Sequence, residues 1–129
     1  MDHNQLPTTF NFEIGGYPGP HFSVFLSGDS LIYKKNSSIP LTLVIQPTPE
    51  RWQSFWRTIN RLEVWSWKGQ YQFPVYDGTN WSLAMTYNGC VIISEGSNGY
   101  PGSDTAEPSA EFRRFLAALS KLIGGLEIF

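Results

Sequence analysis

The sequence predicts an α+β fold: an antiparallel sheet of about six to seven strands with two helices packed on one face, in the order β-β-β-β-α-β-β-β-α. Three observations lead to it. Apolar and polar residues alternate in short runs before residue 47, two later stretches carry apolar stripes at helical spacing, and Asn88-Gly89 separates two further strand-like runs.

Residues 1–7 are polar, end in Pro7 and read as a loose lead-in. Phe10, Phe12 and Ile14 then alternate with Thr9, Asn11 and Glu13, the pattern of a half-buried strand, because side chains two apart share a face. Gly15-Gly16-Tyr17-Pro18-Gly19-Pro20 stops it, with Pro18-Gly19 suited to the centre of a type II turn. Phe22–Leu26 is the second strand, Ser27-Gly28-Asp29-Ser30 a turn, and Leu31–Lys34 the third strand. Leu41-Thr42-Leu43-Val44-Ile45 is short, apolar and rich in branched residues, which favours a fourth strand over a helix.

Thr48 and Pro49 then announce a helix: a hydroxyl to cap the first turn, and a proline where no amide donor is needed. Trp52, Phe55, Trp56, Ile59 and Leu62 form its apolar stripe, so the helix is expected over 49–62. Glu63–Trp67 reads as a strand with Trp65 and Trp67 on one face, followed by irregular chain through Thr79. Trp81, Leu83, Met85 and Tyr87 alternate with Ser82, Ala84 and Thr86, and after Asn88-Gly89 comes the apolar run Cys90–Ile93. Asn-Gly fits a type I′ hairpin turn, in which both central residues need positive φ. A long loop from Gly96 to Pro108 precedes the last helix, whose stripe is Phe112, Phe115, Leu116, Leu119, Leu122 and Ile123. Gly124-Gly125 ends it, and the apolar tail Leu126–Phe129 is expected to pack on the body.

At 129 residues, the whole chain is expected to form a single domain, 1–129, able to build a core without disulfide or metal. Charged residues make up 16% and aromatics another 16%, so large flat side chains carry much of the burial. The net charge is −2 and the nine Lys and Arg are scattered, apart from Lys34-Lys35 and Arg113-Arg114. Neither nucleic acid nor an anionic membrane is an expected partner, since both require concentrated positive charge. The first five residues lack the basic and apolar parts of a signal peptide, and no apolar run reaches membrane-spanning length; a cytoplasmic protein is the simplest expectation.

Searching for chemistry returns little. His3, His21 and Cys90 lack metal-ligand spacing, so no metal or cofactor is expected. A thiolate dyad of Cys90 with His21 is conceivable, but a lone strand cysteine is more often an inert small hydrophobe. No pair of carboxylates is brought together by spacing, and the Gly96–Gly99 loop is cut off from the following helix by Pro101 and Pro108. The absence of a catalytic constellation points away from an enzyme.

Asp77-Gly78-Thr79-Asn80-Trp81-Ser82-Leu83, together with Gly96-Ser97-Asn98-Gly99-Tyr100-Pro101 and the helix behind it, resembles a family of small uncharacterised bacterial proteins. In these, a Trp-bearing strand after an Asp-Gly turn is followed by a Gly-Ser-Asn-x-Tyr-Pro loop. The resemblance covers about the last 65 residues and implies no activity; it draws attention to Asp77, Trp81, Asn98 and Tyr100.

The leading expectation is a non-catalytic binding or protein-interaction domain, because aromatic residues lie near long loops and such residues dominate interface hot spots. Trp65, Trp67, Tyr71, Tyr76 and Tyr100 are the expected surface anchors, with Asp77, Trp81 and Asn98 as further binding residues. The alternatives are a small-molecule pocket between the sheet and the 70–80 and 96–108 loops, with aromatic walls suited to a sugar or flat ligand, and self-association as a homodimer through an open sheet face.

Overall fold

A computed structural model describes residues 5–16, 19–74 and 78–129. Most of the expected lead-in and the proposed Pro18 position of a turn lie outside the described residues, as do Tyr76 and Asp77. The strands are β1 (Thr9–Gly16), β2 (His21–Ser27), β3 (Ser30–Asn36), β4 (Leu41–Ile45), β5 (Gln70–Gln72), β6 (Thr79–Tyr87) and β7 (Cys90–Ser97). Helix α1 (Pro49–Arg61) follows β4, and α2 (Ala110–Leu122) follows β7. All seven strands join one sheet in the order β4-β3-β2-β1-β6-β7-β5.

The first four strands form a meander, each pairing antiparallel with the next. β1 lies at the centre because its other edge takes β6, with Phe12 opposite Leu83. Gly28 turns β2 into β3 at φ 65°, the conformation a type II′ turn places at its first central residue. Asn88 and Gly89, at φ 51° and 84°, make the expected type I′ turn between β6 and β7.

Both helices lie on one face of this sheet. Phe10 meets Trp52 and Phe55 of α1, Phe12 meets Phe115 of α2, and Trp81 meets Phe112, all through ring contacts from the same side of their strands. Each helix begins as its sequence requires. Thr48 Oγ1 accepts the amide of Arg51 at 3.1 Å, and Ser109 Oγ accepts that of Phe112 at the same distance. Trp52, Phe55, Trp56 and Ile59 are buried along α1, and Phe112, Phe115, Leu116, Leu119 and Leu122 along α2. Arg51 lies close to Gly124 beyond the end of α2, and Arg61 shares a hollow with Glu111 and Arg114 at its start. The two helices therefore run antiparallel.

The apolar tail packs as expected. Ile128 is buried, Tyr33 donates its hydroxyl to the Glu127 carbonyl at 2.6 Å, and Lys35 pairs with the Glu127 carboxylate at 2.9 Å. Among the described residues no helix is long and apolar enough to cross a membrane.

Two expectations need correction. Glu63–Trp67 is not a strand: Glu63 turns left-handed at φ 55°, and Val64–Ser66 form one 3-10 turn. Trp65 and Trp67 consequently diverge. Trp65 stacks on Trp56 of α1, while Trp67 enters the core against Trp81, Phe112 and Phe115. The ring contacts available to each indole outweigh the strand propensity of the segment. The fifth strand instead comes from Gln70–Gln72, and it runs parallel to β7, which makes the sheet mixed rather than wholly antiparallel. Gln-Tyr-Gln is too short to establish a period, so alternation does not reveal this strand.

Candidate functional site

Trp65 lies against Trp56, which stacks on Tyr87 at one end of β6. Trp67, Tyr71, Trp81, Asn98 and Tyr100 gather at the opposite end, where β5, β6, β7 and the loop after β7 meet. There they form a closed clasp. The Asn98 amide donates to the Thr79 carbonyl at 2.8 Å, and Asn98 Oδ1 accepts the Thr79 amide at 2.8 Å. Trp81 Nε1 donates to the Gly99 carbonyl at 2.8 Å. Asn98 can make the first pair of bonds because it sits at φ 58°, a left-handed conformation that Asn tolerates better than most residues.

Three glycines let these groups approach. A Cβ on Gly78 would lie 1.3 Å from Asn98 Oδ1, and one on Gly96 would lie 2.3 Å from the Gly99 carbonyl oxygen. One on Gly99 would lie 2.6 Å from the Tyr71 carbonyl carbon and the Gln72 amide nitrogen. Backbone thus packs on backbone where the two motifs cross. Their spacing is explained by this mutual hydrogen bonding, without any ligand.

The expected anchors divide accordingly. Trp67 and Tyr100 are 7% and 2% exposed, and Trp81 is equally enclosed, so all three belong to the core and not to a surface platform. Trp67 Nε1 donates to Glu111 at 2.8 Å, and the Tyr100 ring packs on Phe112. Burial raises the Tyr100 pKa above its ordinary value of 10.0; the neighbouring Thr79 side chain opposes the shift and the Glu107 charge adds to it. Asn98 is buried as well. Trp65 and Tyr71 are half-buried; the first donates to Asn60 at 2.9 Å and the second accepts the Lys68 amide at 2.8 Å. Most of the described aromatic residues are buried in the core.

The cysteine dyad is excluded by distance. Cys90 pairs with Tyr87 at one end of β7, whereas His21 lies opposite Gly15 at the other end of the sheet. Seven strand positions separate those rows, roughly 23 Å at about 3.3 Å per residue. Cys90 is also exposed rather than a buried hydrophobe. Among the described residues no three His, Cys, Asp or Glu side chains are close enough to hold a metal ion.

Three features of the surface went unnoticed in the sequence. On the face opposite the helices, Glu13, His21, Asn80, Glu95 and the Gln70 and Gln72 side chains surround a trough of about 370 Å³. Its walls mix these polar side chains with apolar surface in about equal parts, unlike the aromatic-walled pocket expected between the sheet and the 70–80 and 96–108 loops.

The second feature is the outer edge of the sheet. β4 has its exposed side uncovered along its whole length, with Leu41, Leu43 and Val44 open to solvent and Ile39 just before them 81% exposed. Hydrogen-bond direction follows from the hairpin: Ser27 and Ser30 close the β2–β3 turn, so Leu31, Tyr33 and Lys35 direct their amides toward β4. These pair with Ile45, Leu43 and Leu41, which leaves the main-chain groups of Thr42 and Val44 pointing away from the sheet. On the open face, Val44, Ile32 and Phe25 stand side by side on β4, β3 and β2.

The third is a groove of about 720 Å³ between the outer surfaces of α1 and α2. Arg51, Arg61, Arg114 and Lys121 border it.

No protein family matches the chain, and no curated protein matches it either.

Proposed function

We propose that the protein is a non-catalytic protein-interaction domain whose β4 edge takes an extended segment of a partner protein as an eighth strand. The observation that carries this reading is the contrast between β4 and ordinary sheet edges. Edge strands are normally blunted by charge, bulges or cover, because unpaired main-chain groups recruit other chains. Leu41-Thr42-Leu43-Val44-Ile45 has no charged residue, and its Thr42 and Val44 amides are directed outward. Leu41 and Leu43 on one face and Val44 on the other offer apolar contacts to alternate side chains of an added strand. Main-chain bonds would supply affinity there, and these contacts selectivity.

The test uses Thr42→Pro. Proline removes only the outward amide at that position, so it is compatible with an edge strand yet blocks strand addition. Linear peptides selected by display against the wild-type protein are expected to carry alternating apolar residues and to lose binding to Thr42→Pro, while the melting temperature stays close to wild type. Peptides that bind both proteins equally would sink the proposal. Sedimentation at micromolar concentration separates the other occupant: a dimer dissolved by Thr42→Pro would mean that a second copy, not a partner segment, occupies the edge.

A further inference from the structure

The basic residues look scattered in the sequence, but the two helices collect them. In α1, Arg51, Ser54, Thr58 and Arg61 recur at helical spacing beside the buried stripe; in α2, Arg114, Ala117, Ala118 and Lys121 do the same. Because the helices are antiparallel, Arg51 and Lys121 meet at one end of the groove and Arg61 and Arg114 at the other. Four of the nine Lys and Arg of a net-negative chain thus border one surface. Glu50 is the sole carboxylate among its lining residues.

None of these four cations forms an ion pair among the described residues. The one salt bridge among the described residues joins Lys35 to Glu127, on a different part of the molecule. Between the two cationic ends the groove is lined by small side chains, Ser54 and Thr58 of α1 and Ala117 and Ala118 of α2, with Phe55 and Leu122 beneath and Leu62 at the Arg61 end. Small side chains at Ser54, Ala117 and Ala118 leave room for another helix to approach, since ridge heights set the distance between helix axes.

We infer that this groove is a docking site for an amphipathic helix of a partner protein whose apolar stripe is flanked by glutamates or aspartates. The spacing is specified by the fold. Arg51 to Arg61 and Arg114 to Lys121 span about 15 and 10 Å at ~1.5 Å per residue. A partner helix therefore places acidic residues about seven to ten positions apart, one at each cationic end, with its apolar residues between them. Desolvated apolar contact supplies the affinity, and charge complementarity fixes orientation and speeds association. A polyanion such as nucleic acid is disfavoured by the apolar floor and by the small number of cations, because phosphate binding scales with the number of contacts. This surface lies on the helical layer, apart from β4, and its assignment does not rest on the strand-addition reading.

The experiment is a display library of helical peptides selected against the intact protein, followed by fluorescence anisotropy with the enriched peptides. Enriched sequences are expected to be acidic at the stated spacing around a leucine-type stripe. Affinity should fall by about tenfold or more in Arg61→Glu/Arg114→Glu, and similarly in Arg51→Glu/Lys121→Glu. Arg57→Glu/Arg113→Glu makes the same charge change on the same helices but outside the groove lining, and should leave affinity within about threefold of wild type. Far-ultraviolet circular dichroism confirms that each variant is folded before binding is measured. Enrichment without acidic residues, or an equal loss in the Arg57/Arg113 control, would overturn the inference. So would binding of phosphatidylserine vesicles or duplex DNA through the same four cations in place of peptide. Thr42→Pro leaves the groove untouched, so the two surfaces succeed or fail independently.

Discussion

The two edges of the sheet end in opposite ways. At the β5 edge, the outer strand is three residues long, Gln-Tyr-Gln, and the loop after β7 folds back so that Gly99 packs on the backbone of Tyr71 and Gln72. Behind it, Trp81 is held by both a hydrogen bond and ring contacts with Trp67, Tyr71 and Phe112. At the β4 edge, five residues run without charge or cover, and their large side chains reach solvent. A short polar strand backed by interlocked glycines is protected from adding another chain; a longer apolar one is left able to do so. The difference separates a closed edge, tied into the body, from an open one.

The largest expected effect is on the closed side. Gly96→Ala sets a methyl against the Trp81 indole nitrogen and the Gly99 carbonyl, at 2.1 and 2.3 Å, where neither rigid ring nor backbone can retreat easily. Urea unfolding is expected to show a loss of about 3 kcal/mol. If the variant were as stable as wild type, the interlocked account of the β5 edge would be wrong.

A smaller effect distinguishes two buried tryptophans. Trp81→Phe strips the Gly99 carbonyl of its buried donor, whereas Trp52, beside Gln46 and Pro47 past the end of β4, has a buried indole N–H with no hydrogen-bond partner among the described residues. Trp52→Phe loses ring volume alone. Trp81→Phe is therefore expected to be the more destabilising of the two by about 1–2 kcal/mol, the penalty of an orphaned polar group. Equal losses would mean that ring volume, not the hydrogen bond, sets the cost.

The smallest effect is expected on the open side. Val44 is 69% exposed, so Val44→Lys should shift unfolding free energy by less than about 0.5 kcal/mol. Yet the same change should weaken any segment added along β4, since it places a charge on the edge. A large stability loss would reveal that β4 is tied into the body more tightly than its exposure indicates.

How much of this was legible in the sequence follows from how each part is encoded. The helices and the β6–β7 hairpin were legible because their signals are local: a stripe, a cap, an Asn-Gly pair. Strand order was not, since nothing in Thr9–Gly16 announces that it will pair with Thr79–Tyr87. β5 escaped because its pairing with β7 is parallel and too short to leave a period. Asp77, Trp81, Asn98 and Tyr100 drew attention for their pattern, and three of them prove to hold the clasp, while Asp77 lies outside the described residues. Reading the aromatics as anchors failed at Trp67 and Tyr100 because composition cannot tell a buried ring from an exposed one. The helix groove did leave a trace. Arg51-Ser54-Thr58-Arg61 and Arg114-Ala117-Ala118-Lys121 are second stripes of small residues bounded by cations, hidden beside the stronger apolar ones.

The central position of β1 has a consequence for the order of assembly. Its neighbour on one side, β2, is close behind it in the chain, but its neighbour on the other, β6, arrives only after the whole of α1 and β5 has been made. Until then the emerging N-terminal half has only its own four strands to pair, and β1, central in the finished sheet, lacks one of its two neighbours. Contacts between distant parts of a chain form slowly, because a long loop must close before they gain anything. Completion of the sheet is thus a late event in synthesis, and the interval before it is when this chain is most exposed to pairing with the wrong neighbour.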